Sequence, residues 1–239
     1  MAQILHDAGA QPNTINEHGK TPLHVAATLR DKKMAMILLE CGADYDMADK
    51  AGFTPLHLAV GSDQLVQLLL REGANPNKAD EQGRTPLHAA ASLGLNKMAK
   101  ILIECGADYN MADKAGFTPL HWAVGGDHLN AVQLLLSKGA DPNKTDEQRR
   151  TPLHWAAFYG LRTVAMRLLE SLADPEKVDA QRMTPIQIAT YLGFNDVVQV
   201  ILMKSQQTMR LPHILQKTSP HNSNQDNRET GLEALEKKN

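Results

Sequence analysis

Histidines and carboxylates are the residues of this chain best suited to chemistry, as metal ligands or acid–base groups, and both recur at fixed spacing. Five of the ten histidines, His24, His57, His88, His121 and His154, each close the same four-residue segment, Thr-Pro-Leu-His. Four aspartates, Asp44, Asp108, Asp141 and Asp174, share a phase of their own, where bonding to turn backbone is the plain reading. Ligands for one metal ion must converge on one point, whereas these histidines are strung along the chain, so their spacing argues for a repeated structural task. Cys41 and Cys105 also share a phase, two units apart, and neither has a Cys-x-x-Cys companion. With elements ~10 Å across, their sulfurs should lie on the order of 20 Å apart, too far for a disulfide. No phosphate loop, dinucleotide fingerprint, Gly-x-Ser-x-Gly or His-Glu-x-x-His occurs, so no catalytic residue, cofactor or metal is expected.

The elements that position these residues follow from the period. Thr-Pro-Leu-His begins at Thr21, Thr54, Thr85, Thr118 and Thr151, with a degenerate copy at Thr184, so successive starts are 33, 31, 33, 33 and 33 residues apart. A fixed repeat of this length marks a solenoid, whose units bury their apolar faces only by stacking on neighbours. In each unit Thr is the N-cap of a first helix, Pro takes the first helical position, and His at the third can reach back to the cap as Gln does in a capping box. Gln187 stands at that place in the last copy. Small pairs such as Ala26-Ala27, Ala90-Ala91 and Ala156-Ala157 let neighbouring first helices approach closely, and a turn such as Ser92-Leu93-Gly94 ends the helix. Apolar residues at helical spacing, as in Met98, Ile101, Leu102 and Cys105, predict a second helix ended by Gly42, Gly73, Gly106 or Gly139 in left-handed conformation. Asp-x-x-Gly then signals a tight turn before the next Thr.

Composition agrees with a folded array that has an aliphatic core: 42% of residues are hydrophobic but only 4% aromatic. A formal net charge of -2 and the lack of a long like-charge block argue against a nucleic-acid binder. The N-terminal residues do not read as a signal peptide, and no apolar stretch is long enough to span a membrane.

Spacing, caps and terminator glycines together resemble the ankyrin-repeat family, whose period and T-P-L-H-x-A signature they share from about Ala2 to about Lys204. The resemblance implies an all-α ankyrin solenoid of helix-turn-helix units joined by β-hairpin loops. A partial repeat spans 1–15, full repeats span 16–48, 49–79, 80–112, 113–145 and 146–178, a last unit spans 179–204, and a polar tail from 205 to 239 is expected to be disordered. A helix around Leu232 to Glu236 and a phosphorylation site at Thr218-Ser219-Pro220 are further readings of that tail, with a plain solvated tail preferred. Met34 to Val60 nearly equals Met98 to Val124, so a two-repeat block has duplicated.

Three departures carry information. The unit from Asp49 is two residues short in its inter-helix region, which predicts a local change in stacking. Leu172 stands where a left-handed glycine is expected, at a cost of about 1–2 kcal/mol. Gln3 to Ala10 aligns with the second helix Lys100 to Ala107, so the chain starts inside a unit.

The resemblance also implies that partners meet the hairpin tips and the ends of the first helices. On that basis the candidate protein-binding residues are Phe53, Arg84, Phe117, Arg149, Arg150 and Arg182 at the tips, with Phe158, Tyr159 and Tyr191 at the helix ends. The alternative for these is structural: Phe53 and Phe117 pack over the neighbouring hairpin and the arginines are solvated. Trp122 and Trp155 follow the capping His and are expected to pack between helices. The expected function is a non-catalytic scaffold that binds an acidic or amphipathic protein segment along its concave face, as an intracellular monomer in cytoplasm or nucleus. A start within a unit also fits a segment of a larger signalling, channel or receptor protein that regulates in cis.

Overall fold

A computed structural model of the chain describes residues 11–215, with side chains through Gln206. Twelve helices and no strand occur among the described residues. The first helices are α1 (Pro22–Thr28), α3 (Pro55–Leu58), α5 (Pro86–Ser92), α7 (Pro119–Gly125), α9 (Pro152–Phe158) and α11 (Pro185–Tyr191). Each pairs with a second helix: α2 (Lys32–Glu40), α4 (Asp63–Arg71), α6 (Asn96–Glu104), α8 (Leu129–Ser137), α10 (Arg162–Glu170) and α12 (Asn195–Leu215).

All six first helices start with Thr in extended conformation, Pro behind it, and a reciprocal capping box to the third helical residue. The core is one continuous column. Leu23, Leu56, Leu87, Leu120 and Leu153 are fully buried, and Ala26, Ala59, Ala90, Ala123, Ala156 and Ala189 are buried in common register, so successive first helices pack through small residues. Second helices contribute the opposite wall, with Leu69, Leu102, Leu135, Leu168 and Ile201 buried in common register.

Two polar ladders tie unit to unit. In the first, each hairpin donates one backbone N–H to the preceding one: Lys50 to His18 (3.1 Å), Glu81 to Ala51 (3.1 Å), Lys114 to Gln82 (2.9 Å), Glu147 to Ala115 (3.0 Å) and Ala180 to Gln148 (2.9 Å). Within five of the hairpins a buried Asp accepts two backbone N–H groups, as Asp113 does from Ala115 and Phe117 (2.9 Å each), and in the first the exposed Asn16 does so. One bond per neighbour is too few for a strand, which is why the β-hairpin loops are hydrogen-bonded turns. In the second ladder the side-chain oxygen of Asn13, Asp46, Asn77, Asn110 or Asn143 accepts the backbone N–H of Asp44, Asn75, Asp108, Asp141 or Asp174, one unit on, at 2.7–3.0 Å. Asp44, Asp108, Asp141 and Asp174 themselves accept from the backbone two residues on, at 2.8–2.9 Å. Cys41 and Cys105 cap α2 and α6 and are not bridged.

Deletion of two residues falls on α3, which has four residues where the other first helices have seven. Leu172 is left-handed, with φ 66°, and is 83% exposed. α12 runs on past Ser205 to Leu215, because Asn195 to Leu215 contains no glycine to cap the helix as Gly42, Gly106 or Gly139 does elsewhere. The alignment of Gln3 to Ala10, and the readings of Thr218 to Pro220 and Leu232 to Glu236, fall outside the described residues.

Candidate functional site

The repeated histidines are consumed by the fold. In each of the five, Nδ1 accepts the N–H of the capping Thr at 3.0–3.1 Å, while Nε2 lies 2.9–3.2 Å from a carbonyl of the next hairpin. Carbonyl oxygens only accept, so Nε2 carries the proton and the ring is neutral. Burial, opposed by those carbonyls and nearby aspartates, lowers the pKa of His24, His57, His88 and His154, and brings His121 down to about 4. With both nitrogens occupied, these rings have no lone pair for a metal, and no metal-binding group of His, Cys, Asp and Glu occurs among the described residues.

Aromatic side chains instead converge on the open side of the first helices. The residue after each capping residue, Val25, Leu58, Ala89, Trp122, Trp155 and Ile188, faces outward along this surface; Val25 is 45% exposed. Trp122 and Trp155 are therefore half-buried walls of a groove, not core residues between helices as their phase suggested. Each indole N–H donates to the hairpin aspartate nine residues earlier, Trp122 to Asp113 (3.0 Å) and Trp155 to Asp146 (3.2 Å). This bond holds the ring plane upright, and it leaves the carboxylate's other oxygen to the turn backbone. Sequence reasoning left both tryptophans out of the site; the signal was present in their phase, which they share with Val25 and not with the buried Leu of each unit.

Phe117 joins the two, with its ring 5.9 Å from Trp122 and 5.5 Å from Trp155 in edge geometry. Tyr159 stacks on Trp155 at 5.6 Å, Phe158 meets both at 6.1 and 5.1 Å, and the Arg150 guanidinium lies 4.2 Å over Trp155. A hollow of about 390 Å³ opens among Ser92, Phe117, Trp122, Gly126, Trp155 and Tyr159. A smaller one, about 190 Å³, continues past Trp122 to Arg84 and Phe53. One groove thus gathers Phe53, Arg84, Phe117, Arg150, Phe158 and Tyr159.

Their environments differ. Arg84 and Arg150 are bound to Asp80 and Asp146 through Nε at 2.9 Å, so neither is a solvated cation. Burial alone would raise the Asp80 carboxyl, but the N–H groups of Arg84 and Gln82 and the guanidinium hold it below the usual range. Arg149 and Arg182 are exposed, in no ion pair among the described residues, and left-handed (φ 59° and 62°) where Gly19, Gly52, Gly83 and Gly116 stand in the other hairpins. Tyr191, 85% exposed, makes no ring contact among the described residues and stands apart from the cluster.

The family model for ankyrin repeats matches the chain three times, over residues 1–80, 60–146 and 142–210. Solved structures match in 583 chains. One is the crystal structure of the ankyrin repeat domain of Bcl-3, a unique member of the IkappaB protein family; it is 28% identical, covers 84% of this chain and 90% of that one, and has a TM-score of 0.76. No curated protein sequence matches. No helix among the described residues is long and apolar enough to cross a membrane.

Proposed function

Because the chain belongs to the ankyrin-repeat family, whose repeats are general protein–protein interaction modules, we propose that it is a non-catalytic scaffold that binds a protein segment along the groove of first helices and hairpin tips. The observation that carries this reading is the cluster of Phe117, Trp122, Trp155 and Tyr159 with Arg150: aromatic rings and Arg, partly exposed, in the residue types that dominate binding hot spots. Contiguous apolar patches on a protein surface mark sites of interaction. Likeness to the Bcl-3 ankyrin domain, which spans most of both chains, supports the same class of activity.

Phe53 and Arg84 extend the groove toward the N-terminal units, and Arg149 and Arg182 at the exposed hairpin tips, with Tyr191 at the end of α11, are the outlying candidates for the same partner. Arg150 is a poor residue for testing electrostatic recognition, since reversing its charge would place a carboxylate beside Asp146 and uncover Trp155. Arg149→Glu with Arg182→Glu removes positive charge without touching that packing. Pull-down of the double variant from lysate, quantified against the parent chain, should lose the partners that use this face; unaltered recovery of every partner excludes the face.

A further inference from the structure

Gly125 has no structural reason to be glycine. It is the last residue of α7, its φ is not left-handed, and a Cβ built on it meets nothing within 4 Å. Of the glycines among the described residues, twelve have positive φ, and a Cβ on Gly126 would meet the His128 ring at 2.5 Å. Gly125 alone is required neither by backbone nor by packing, and as glycine it weakens the helix end relative to alanine. Nor does it serve the turn, because the left-handed residue of this turn is Asp127, at φ 53°.

What Gly125 does is leave space. The corresponding residues of the next two units are Phe158 and Tyr191, and Phe158 fills its place by leaning on Trp155 three residues earlier. Gly125 stands in the same relation to Trp122 and lies on the wall of the larger hollow. The preceding units carry the small residues Thr28, Gly61 and Ser92 at this place, so the aromatic ridge begins only at Phe158, and the hollow bounded by Trp122, Phe117, Trp155 and Tyr159 stays open because residue 125 has no side chain.

The charges beside the gap are unequal. Adjacent hairpin tips, linked by the backbone bonds from Glu147 to Ala115 and from Ala180 to Gln148, carry Lys114, Arg149 and Arg182, all exposed and in no ion pair among the described residues, against Glu147, while Asp174, Glu176 and Lys177 line a separate hollow on Arg149. At the opposite end, beyond Gly126, the exposed charges are Asp127 in the inter-helix turn and, one unit on, Arg162 at the start of α10, so no net charge gathers there. An occupant is thus favoured when its negative charge lies toward the hairpins.

Resting on the interaction reading above, we propose that this hollow receives one bulky apolar side chain, aromatic by preference, from an acidic segment of a partner protein, with the acidic residues directed to the hairpin tips, and that Gly125 sets this specificity by holding the hollow open. Rings offer large contact area at little entropic cost and meet the aromatic walls in edge or stacked geometry.

The test uses the full chain and a phage-displayed library of random linear peptides that lack tryptophan. Both tryptophans of the protein border the hollow, so its intrinsic fluorescence reads occupancy directly. Peptides selected on the parent chain should share one Phe, Tyr or Leu flanked on one side by Asp or Glu, and should shift tryptophan emission saturably. Gly125→Phe should fill the gap as Phe158 does next door, with an unchanged or raised Tm and affinity at least tenfold weaker. Arg149→Glu with Arg182→Glu should weaken binding several-fold and erase the acidic preference. If Gly125→Phe binds as the parent does while the arginine variant does not, the hollow is wrong and the interaction face stands. Selection of basic peptides, or of peptides without a bulky apolar residue, also overturns the hollow. Failure to select any saturable binder counts against both readings.

Discussion

At the scale of single residues, the structure separates side chains that hold a backbone from side chains that hold a neighbour. Leu172 does neither well: its φ of 66° is costly for a residue with a Cβ, its side chain is 83% exposed, and only its backbone is used, the N–H by Leu169 O at 3.3 Å and the carbonyl by Asn143 Nδ2 at 2.9 Å. Leu172→Gly removes the Cβ and keeps the carbonyl, so it should stabilise the fold by about 1 kcal/mol, a rise in Tm of roughly 2–4 °C in a chain of this size. A lower Tm by calorimetry would show that the exposed leucine contributes packing. The histidines behave oppositely. Gln187 accepts from Thr184 N–H at 2.9 Å and so completes the cap, but it caps the last unit, where no further hairpin follows among the described residues. At His88 the ring must also donate to the carbonyl of Phe117, 3.1 Å away. His88→Gln should thus keep the cap, lose the link and cost about 1–3 kcal/mol through the stranded carbonyl, while the same exchange reversed at Gln187 should cost little. Urea titration of both variants measures the difference. That the histidines cap was legible in the Thr-Pro-Leu-His spacing and in the Gln of the last copy. Their second bond was not, because a one-dimensional pattern says nothing of the carbonyl 29 residues away.

At the scale of elements, the weak place is α3. Its four residues form a single turn, whereas a seven-residue helix such as α5 bonds two turns. Stability in a stacked array sums local terms and neighbour interfaces, so a unit that lacks a turn should open more readily than those on either side. Native-state hydrogen exchange should show the amides of Leu58 to Gly61 exchanging at least tenfold faster than those of Ala89 to Ser92, and equal protection would mean that α4 and the Arg30 guanidinium beside Gly61 restore what the short helix lacks. The shortening could be foreseen from the missing two residues, as could each helix start, since caps and prolines act locally. Helix ends were less legible. α12 runs through Pro212 to Leu215, since no terminator glycine stands where the other second helices end, and the absence of a glycine is a weaker cue than its presence. The groove was legible in part: Phe53, Phe117, Phe158 and Tyr159 were found by their positions at tips and helix ends. Trp122 and Trp155 were missed because a half-buried phase and a core phase differ by one residue on a helix, and only the bond to Asp113 or Asp146 shows which way the indole turns.

At the scale of the whole molecule, the five neutral histidines make the array sensitive to acid. Each is protonated more readily in the unfolded chain, near pH 6.5, than in the fold, where burial disfavours the charge and Nδ1 must accept from the Thr N–H. A folded pKa depressed in this way gives stability that is fully present above the unfolded pKa and is lost as pH falls below it toward the folded value. For His121, with a folded pKa of about 4, the loss between pH 8 and pH 5 is about 2 kcal/mol, and the other four add losses of the same sign. Asp80 shifts in the same sense, but its contribution is lost only as pH falls below its ordinary 3.8, so the two classes act in different windows. The urea midpoint should hold steady from pH 8.5 to 7 and fall steeply from pH 6.5 to 5, before any carboxylate contributes. Because each protonation also removes the acceptor that completes a cap, the acid transition should spread unit by unit along the stack instead of occurring in one step, and hydrogen exchange at pH 5 should find the hairpin amides loosened before the second helices. A midpoint that stays flat to pH 5 would mean that the imidazoles take up protons without leaving their places, and the histidine ladder would then not be what sets the stability of the array.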